Sequence, residues 1–137
     1  MKSALGFTLV ELIAVLALVG VLSTVAFTRF NAGYESQVQQ SRDQLVAALF
    51  FAQQLAMDRS GNVQLVTSSN QFTVTLDGVD ARSGGYAFPV NLPAGISLTP
   101  ASFSYNRLGE TSAAALVLSH SDGATVTVNV SASGYAN

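Results

Sequence analysis

The chain has 137 residues, of which 49% are hydrophobic and only 10% charged, with a formal net charge of −2 and a pI near 5.0. About 25% charged residues is usual in a soluble domain, so this composition suits a chain that buries much of its surface against neighbouring molecules. The acidic balance argues against a nucleic-acid groove, which rests on clustered Lys and Arg, and the absence of Cys leaves the fold to be held by packing alone.

Met1-Lys-Ser-Ala-Leu-Gly6 is a short basic leader ending in Gly, and Phe7-Thr-Leu-Val-Glu11-Leu opens an apolar run. Nothing from Leu12 to Phe27 is charged, and residues 7–27 are long enough to cross a bilayer as a helix, which takes roughly 20 residues. Leu12, Leu16, Gly20 and Phe27 mark the course of this predicted membrane helix. Lys2 precedes the run, which puts the N-terminus on the cytoplasmic side. Glu11 is the anomaly: a carboxylate deep in hydrocarbon costs about 2.5–3.5 kcal/mol on insertion scales, so it needs a partner or a purpose.

The joint pattern of Gly6, Phe7 and Glu11 resembles the type III signal and first helix of the type IV pilin and pseudopilin family across residues 1–30. The resemblance implies that a prepilin peptidase cuts after Gly6 and methylates the new amino group of Phe7. It also implies that Glu11 is the assembly glutamate, paired with the terminal amine of a neighbouring subunit. Removing the leader would take Lys2 with it and leave five Arg and no Lys. Two other readings compete: a secretory signal peptide cut after Thr24-Val25-Ala26, and a plain membrane anchor in which Glu11 is incidental.

Beyond Phe30 the pattern turns amphipathic. Val38, Leu45, Leu49, Ala52 and Ala56 recur at three- and four-residue steps, with Val46, Phe50 and Leu55 widening the stripe. No Pro interrupts residues 7–60, and Gly61 suits a left-handed position after the last turn. One helix of about 50 residues, roughly 75 Å long, is expected to run from the membrane into a head domain. The family's glycine at the start of a segment that can unwind on assembly corresponds to Gly20, but Thr28 stands where its proline is usual. The resemblance therefore implies a straighter helix here.

From Val63 the period switches to two. Residues 63–67 and 72–76 flank Ser68-Ser69-Asn70-Gln71 as a hairpin, and a loop follows from Asp77 to Gly85. Pro89, Pro93 and Pro100 confine residues 89–100 to an edge or irregular role apart from Ile96-Ser-Leu98. Phe103-Ser-Tyr105 is a further strand, and residues 115–119 and 124–130 form a hairpin turned by Ser121-Asp122-Gly123. The fold class expected is α+β, with a long N-terminal helix packed on a small antiparallel β-sheet head. The divisions expected are leader 1–6, membrane and assembly helix 7–30, amphipathic helix 31–61 and β head 62–137.

Leu92-Pro-Ala-Gly95-Ile96, Phe103-Ser-Tyr-Asn-Arg107-Leu-Gly109-Glu and Ser133-Gly134-Tyr135 resemble the GspH/FimT-like group of minor pilins and pseudopilins. Within it, Asn106-Arg-Leu-Gly109 and Ser133-Gly134-Tyr135 look most like the minor pilins of the mannose-sensitive haemagglutinin (MSHA) pilus. The function this implies is a non-enzymatic filament subunit for surface attachment, in the inner membrane and then in the pilus. Its partners would be other pilin or pseudopilin subunits, the prepilin peptidase and the inner-membrane assembly platform. The alternative is a minor pseudopilin of a type II secretion system.

No cofactor is expected. His120, the single histidine, lies beside the Ser121-Asp122-Gly123 turn and reads as a solvated turn residue rather than a catalytic base. Asp77 and Asp80 could offer oxygen to Ca²⁺ but read as ordinary turn carboxylates, so no metal is expected. Some FimT-like pilins capture DNA through a Gly-Arg-x-Arg end. The corresponding Gly134-Tyr-Ala-Asn137 has no basic residue, and Arg82 and Arg107 are isolated, so nucleic acid is not expected as a partner. Tyr86, Phe88, Phe103 and Tyr105 read as core and edge packing rather than a stacking surface.

Overall fold

The computed structural model describes residues 8–83 and 86–137, and of residues 27–32, 83 and 86 the backbone only. It is α+β: one helix followed by antiparallel strands. Helix α1 (Leu9–Asp58) is continuous through Gly20, Thr28 and Gly33. The chain divides into two compact units, Met1–Gly33 and Tyr34–Asn137.

In the second unit the periodic residues of α1 form one wall of the core. Val38, Leu45, Ala48, Leu49, Ala52 and Ala56 are all buried, at the spacing that keeps one face inward. Ser41 is buried on the same face, and its hydroxyl donates to the Gln37 carbonyl at 2.9 Å. Val46 and Leu55 widen the stripe as expected, but Phe50 does not. Phe50 is 41% exposed, whereas Phe51 packs against the core and stacks on Phe88 with ring centroids 5.6 Å apart. One residue is about 100° of helix, so two adjacent phenylalanines cannot both face the sheet.

Among the described residues the strands of the head form three sheets rather than one. Strands β1 (Val63–Thr67) and β2 (Gln71–Leu76) form the expected hairpin. The loop after β2 contains β3 (Val79–Asp80), which extends the sheet, and β4 (Arg82–Ser83), which pairs with β5 (Tyr86–Ala87). Next comes β6 (Val90–Asn91), on β2. Strands β7 (Ile96–Leu98) and β8 (Ala101–Tyr105) then part company: β8 joins β1, and β7 joins β9 (Ala114–His120), which pairs in turn with β10 (Thr125–Val130). Pro100, which has no N–H to give a ladder, lies at the switch between them. The corner is held by buried Thr67, whose hydroxyl donates to the Thr99 carbonyl at 2.7 Å and accepts the Ala101 N–H at 2.8 Å.

Gly61 does not take the left-handed conformation expected of it; among the described residues the glycines with positive φ are Gly78, Gly95, Gly109, Gly123 and Gly134. Its lack of a side chain serves close packing instead. A Cβ there would collide with Leu76 and lie 2.8 Å from an Asp77 carboxylate oxygen. Asp77, at φ 54°, accepts the Asn62 N–H at 2.9 Å, tying the end of β2 to the chain leaving α1.

Phe72 and Phe103 are buried between the sheets and α1 together with Leu65, Leu116, Leu118 and Val128. Tyr105 is buried too, and its hydroxyl finds no hydrogen-bond partner among the described residues. Burial pushes the phenol up from 10.0 to about 12, because the phenolate is the form that loses hydration. A pKa raised by folding gives stability that is complete below the unfolded pKa and is lost as pH rises through the folded one. The head is therefore expected to lose stability between about pH 10 and pH 12. Tyr105→Phe should flatten that slope and cost nothing at pH 7, since it removes an unpaired polar atom. Denaturant melts of the full chain in detergent across this pH range check it.

Candidate functional site

Apart from Glu11, residues 9–26 present a helix surface that is apolar on every side. Residues 9–26 contain no buried position, and Leu9–Ala26 is long and apolar enough to cross a membrane. A helix hydrophobic all round belongs in lipid or in a bundle. Ser23 and Thr24 do not break this surface, since their hydroxyls donate to the Val19 and Val21 carbonyls at 2.7 and 2.8 Å. Leu12, Leu16 and Gly20 lie exposed on this stretch. A Cβ on Gly20 would meet nothing within 4 Å, so no contact inside the chain requires glycine there. The side chain of Phe27 lies outside the described residues, as do Gly6 and Phe7.

Glu11 sits in the first turn of α1 with its carboxylate exposed and no ion-pair partner among the described residues. Its N–H donates to the Thr8 hydroxyl at 3.3 Å, and the Leu12 N–H to the Thr8 carbonyl at 3.1 Å. Thr8 is thus the N-cap, and Thr8-Leu-Val-Glu11 has capping-box spacing. A carboxylate there also meets the positive end of the helix dipole, a contribution of about 0.3–1 kcal/mol. The Thr-x-x-Glu spacing is the sequence signal for this second role.

In the second unit the two motifs that carry the minor-pilin resemblance converge on one side chain. Asn106 builds the first turn, its Oδ1 accepting the N–H groups of Leu108 and Glu110 at 2.9 Å each. Gln53 of α1 donates its amide to the Gly109 carbonyl at 3.2 Å and to the Ser133 carbonyl at 2.9 Å. Tyr135 lies edge-on to Phe50, centroids 6.1 Å apart, which gives the exposed phenylalanine its contact. These motifs therefore clasp the C-terminal segment to the helix. The neighbouring hollow lined by Ser104, Asn106, Glu110, Thr111, Ala132 and Ser133 has its polar groups turned on one another. Asn106 donates to Glu110 at 2.7 Å and Thr111 to the Ser104 carbonyl at 2.9 Å.

His120 corrects the expectation of a solvated turn residue. Its side chain is 7% exposed, its ring stacks on Tyr34 at 4.6 Å, and Nδ1 is bonded to the Asp122 carboxylate. The site is closed from the far side by Gly95, where a Cβ would lie 2.7 Å from Nε2. No hydroxyl is hydrogen-bonded to the ring among the described residues, so the pair orients a ring against α1. Asp77 and Asp80 act separately: Asp77 accepts the Asn62 N–H after β2 as a turn carboxylate, whereas Asp80 lies in β3 and accepts the Thr73 hydroxyl across the sheet at 2.6 Å. No three His, Cys, Asp or Glu among the described residues come together as a metal site. Phe88, Phe103 and Tyr105 are buried core aromatics, and Arg82 and Arg107 are exposed.

Residues 1–27 match the family model for the prokaryotic N-terminal methylation motif. No curated protein and no solved structure matches the chain. The motif supports a type IV pilin-like or pseudopilin protein, hence a structural role, processing by a prepilin peptidase and interaction with other pilin subunits.

Proposed function

We propose that this chain is a minor subunit of a type IV pilus of the MSHA kind, near its C-type minor pilin, serving surface attachment. In this reading the prepilin peptidase cuts after Gly6 and methylates Phe7. Residues 7–30 hold the subunit in the inner membrane, N-terminus cytoplasmic and head periplasmic, until the assembly platform passes it to the filament. Glu11 pairs with the terminal amine of a neighbouring subunit and sets the register. The observation that carries this is a single exposed carboxylate at the head of an otherwise apolar, wholly exposed helix surface. Such a surface must leave water, and the charge on it then needs an opposite charge from another molecule.

A minor pseudopilin of a type II secretion system would use the same helix. The experiment is to shear surface filaments from cells with and without the chain and analyse them by mass spectrometry. Recovery of an N-terminal peptide beginning at methylated Phe7, with pili lost in the chain's absence, supports the pilus. Pili that persist while secreted proteins stay trapped in the periplasm overturn it in favour of the secretion machine.

A further inference from the structure

We propose that the outer edge of β10 pairs with the same edge of a second copy of this chain, antiparallel, about a two-fold axis through Val126. The inference rests on the head alone and is independent of the filament reading.

The His120 N–H donates to the Ala124 carbonyl at 2.7 Å. The bonded pairs of the β9–β10 ladder are therefore Leu118–Val126 and Leu116–Val128, and Thr125, Thr127 and Asn129 turn their backbone groups away from β9. At Asn129 that edge is already used. The Asn129 N–H donates to the Asn137 carbonyl at 2.9 Å, and the Asn137 N–H returns the bond at 3.1 Å, next to the Val130–Ala136 bridge. The chain's own tail thus shows that this edge accepts an antiparallel strand. Thr125 and Thr127 keep outward N–H and C=O groups with no partner among the described residues.

Edge strands are ordinarily guarded by charge, Pro or a bulge. Here residues 123–137 carry no charged side chain and no Pro. What remains is self-complementary: Thr125-Val126-Thr127 reads the same in both directions. An axis through Val126 sets Thr125 against Thr127 of the second copy, a bonded pair on each side, with the exposed threonines as cross-strand neighbours. Half-buried Val126 then faces its equivalent in the closely spaced, non-bonded position. Shifting the axis to Thr127 would put Thr125 against Asn129, whose edge Asn137 occupies, so the tail selects the register.

The test uses the full chain in its membrane. The sequence has no Cys, so Val126→Cys introduces a single thiol. Cα atoms in a non-bonded pair are about 4.5 Å apart, within disulfide reach. Mild oxidation is expected to give a disulfide-linked dimer for Val126→Cys and monomer for Val117→Cys, exposed on β9 one strand further in. Adding Thr125→Lys with Thr127→Lys to Val126→Cys opposes like charges and should cut cross-linking at least about tenfold. Thr125→Lys with Thr127→Glu opposes unlike charges and should restore it. A Val126→Cys chain that stays monomeric, as it would with another protein's strand on this edge, overturns the proposal. So does equal cross-linking at positions 126 and 117, or failure of the unlike pair to exceed the like pair.

Discussion

Glu11→Ala is expected to leave membrane insertion intact and to cut incorporation into filaments by about a hundredfold or more. Insertion should if anything improve, since a carboxylate opposes entry into hydrocarbon by about 2.5–3.5 kcal/mol. Incorporation suffers because the neighbour's terminal amine is left buried without its partner, a loss of about 3–5 kcal/mol. Thr8→Ala is the informative control. It removes the hydroxyl that receives the Glu11 N–H, a cap worth about 0.5–2 kcal/mol, and keeps the carboxylate. Immunoblots of membrane and sheared-filament fractions should show Glu11→Ala confined to the membrane and Thr8→Ala present in both. Normal incorporation of Glu11→Ala would sink the assembly role.

The second large effect concerns the clasp. Gly134 lies at φ +80°, and a Cβ there would run into the Gly109 carbonyl and sit 2.6 Å from the Gln53 amide nitrogen. Gly134→Ala is expected to cost about 3–4 kcal/mol: roughly 1–2 for the left-handed backbone, and about 1 for each Gln53 bond displaced. Gly123 makes the comparison, since it lies at φ +102° with nothing within 4 Å of a Cβ. Gly123→Ala should therefore show the backbone cost alone. Denaturant melts of both full-length variants in detergent measure the difference, and equal losses would mean that the clasp contributes nothing.

What could be read from the residues was whatever depends on near neighbours in the chain. The apolar run, the stripe from Val38 to Ala56 and both hairpins follow from periods of 3.6 and 2 with turn residues between them, and the structure has each. What could not be read depends on partners far along the chain. Gly61 looked like a helix stop, but its conformation answers to Leu76 and Asp77. His120 looked solvated because Tyr34, its stacking partner, is 86 positions away (120 − 34). Phe50 and Phe51 are equally apolar, and only the sheet decides which of them turns inward. The split into separate sheets hangs on Pro100, whose effect depends on what lies either side of it. At the candidate site the charged residue was legible, and its cap at Thr8 was equally so from spacing alone.

The Gln53 clasp spans 80 residues, from the helix to the Ser133 carbonyl. A chain that emerges N-terminal end first delivers Gln53 well before Ser133. The first hairpin can pair while the remainder is still in transit, but the seal between helix and tail has to wait for Ser133 to emerge. Because that seal is made of amide and carbonyl groups, it needs neither an oxidising compartment nor a thiol-exchange catalyst to close. Arrival of Ser133 is thus the event that closes the clasp.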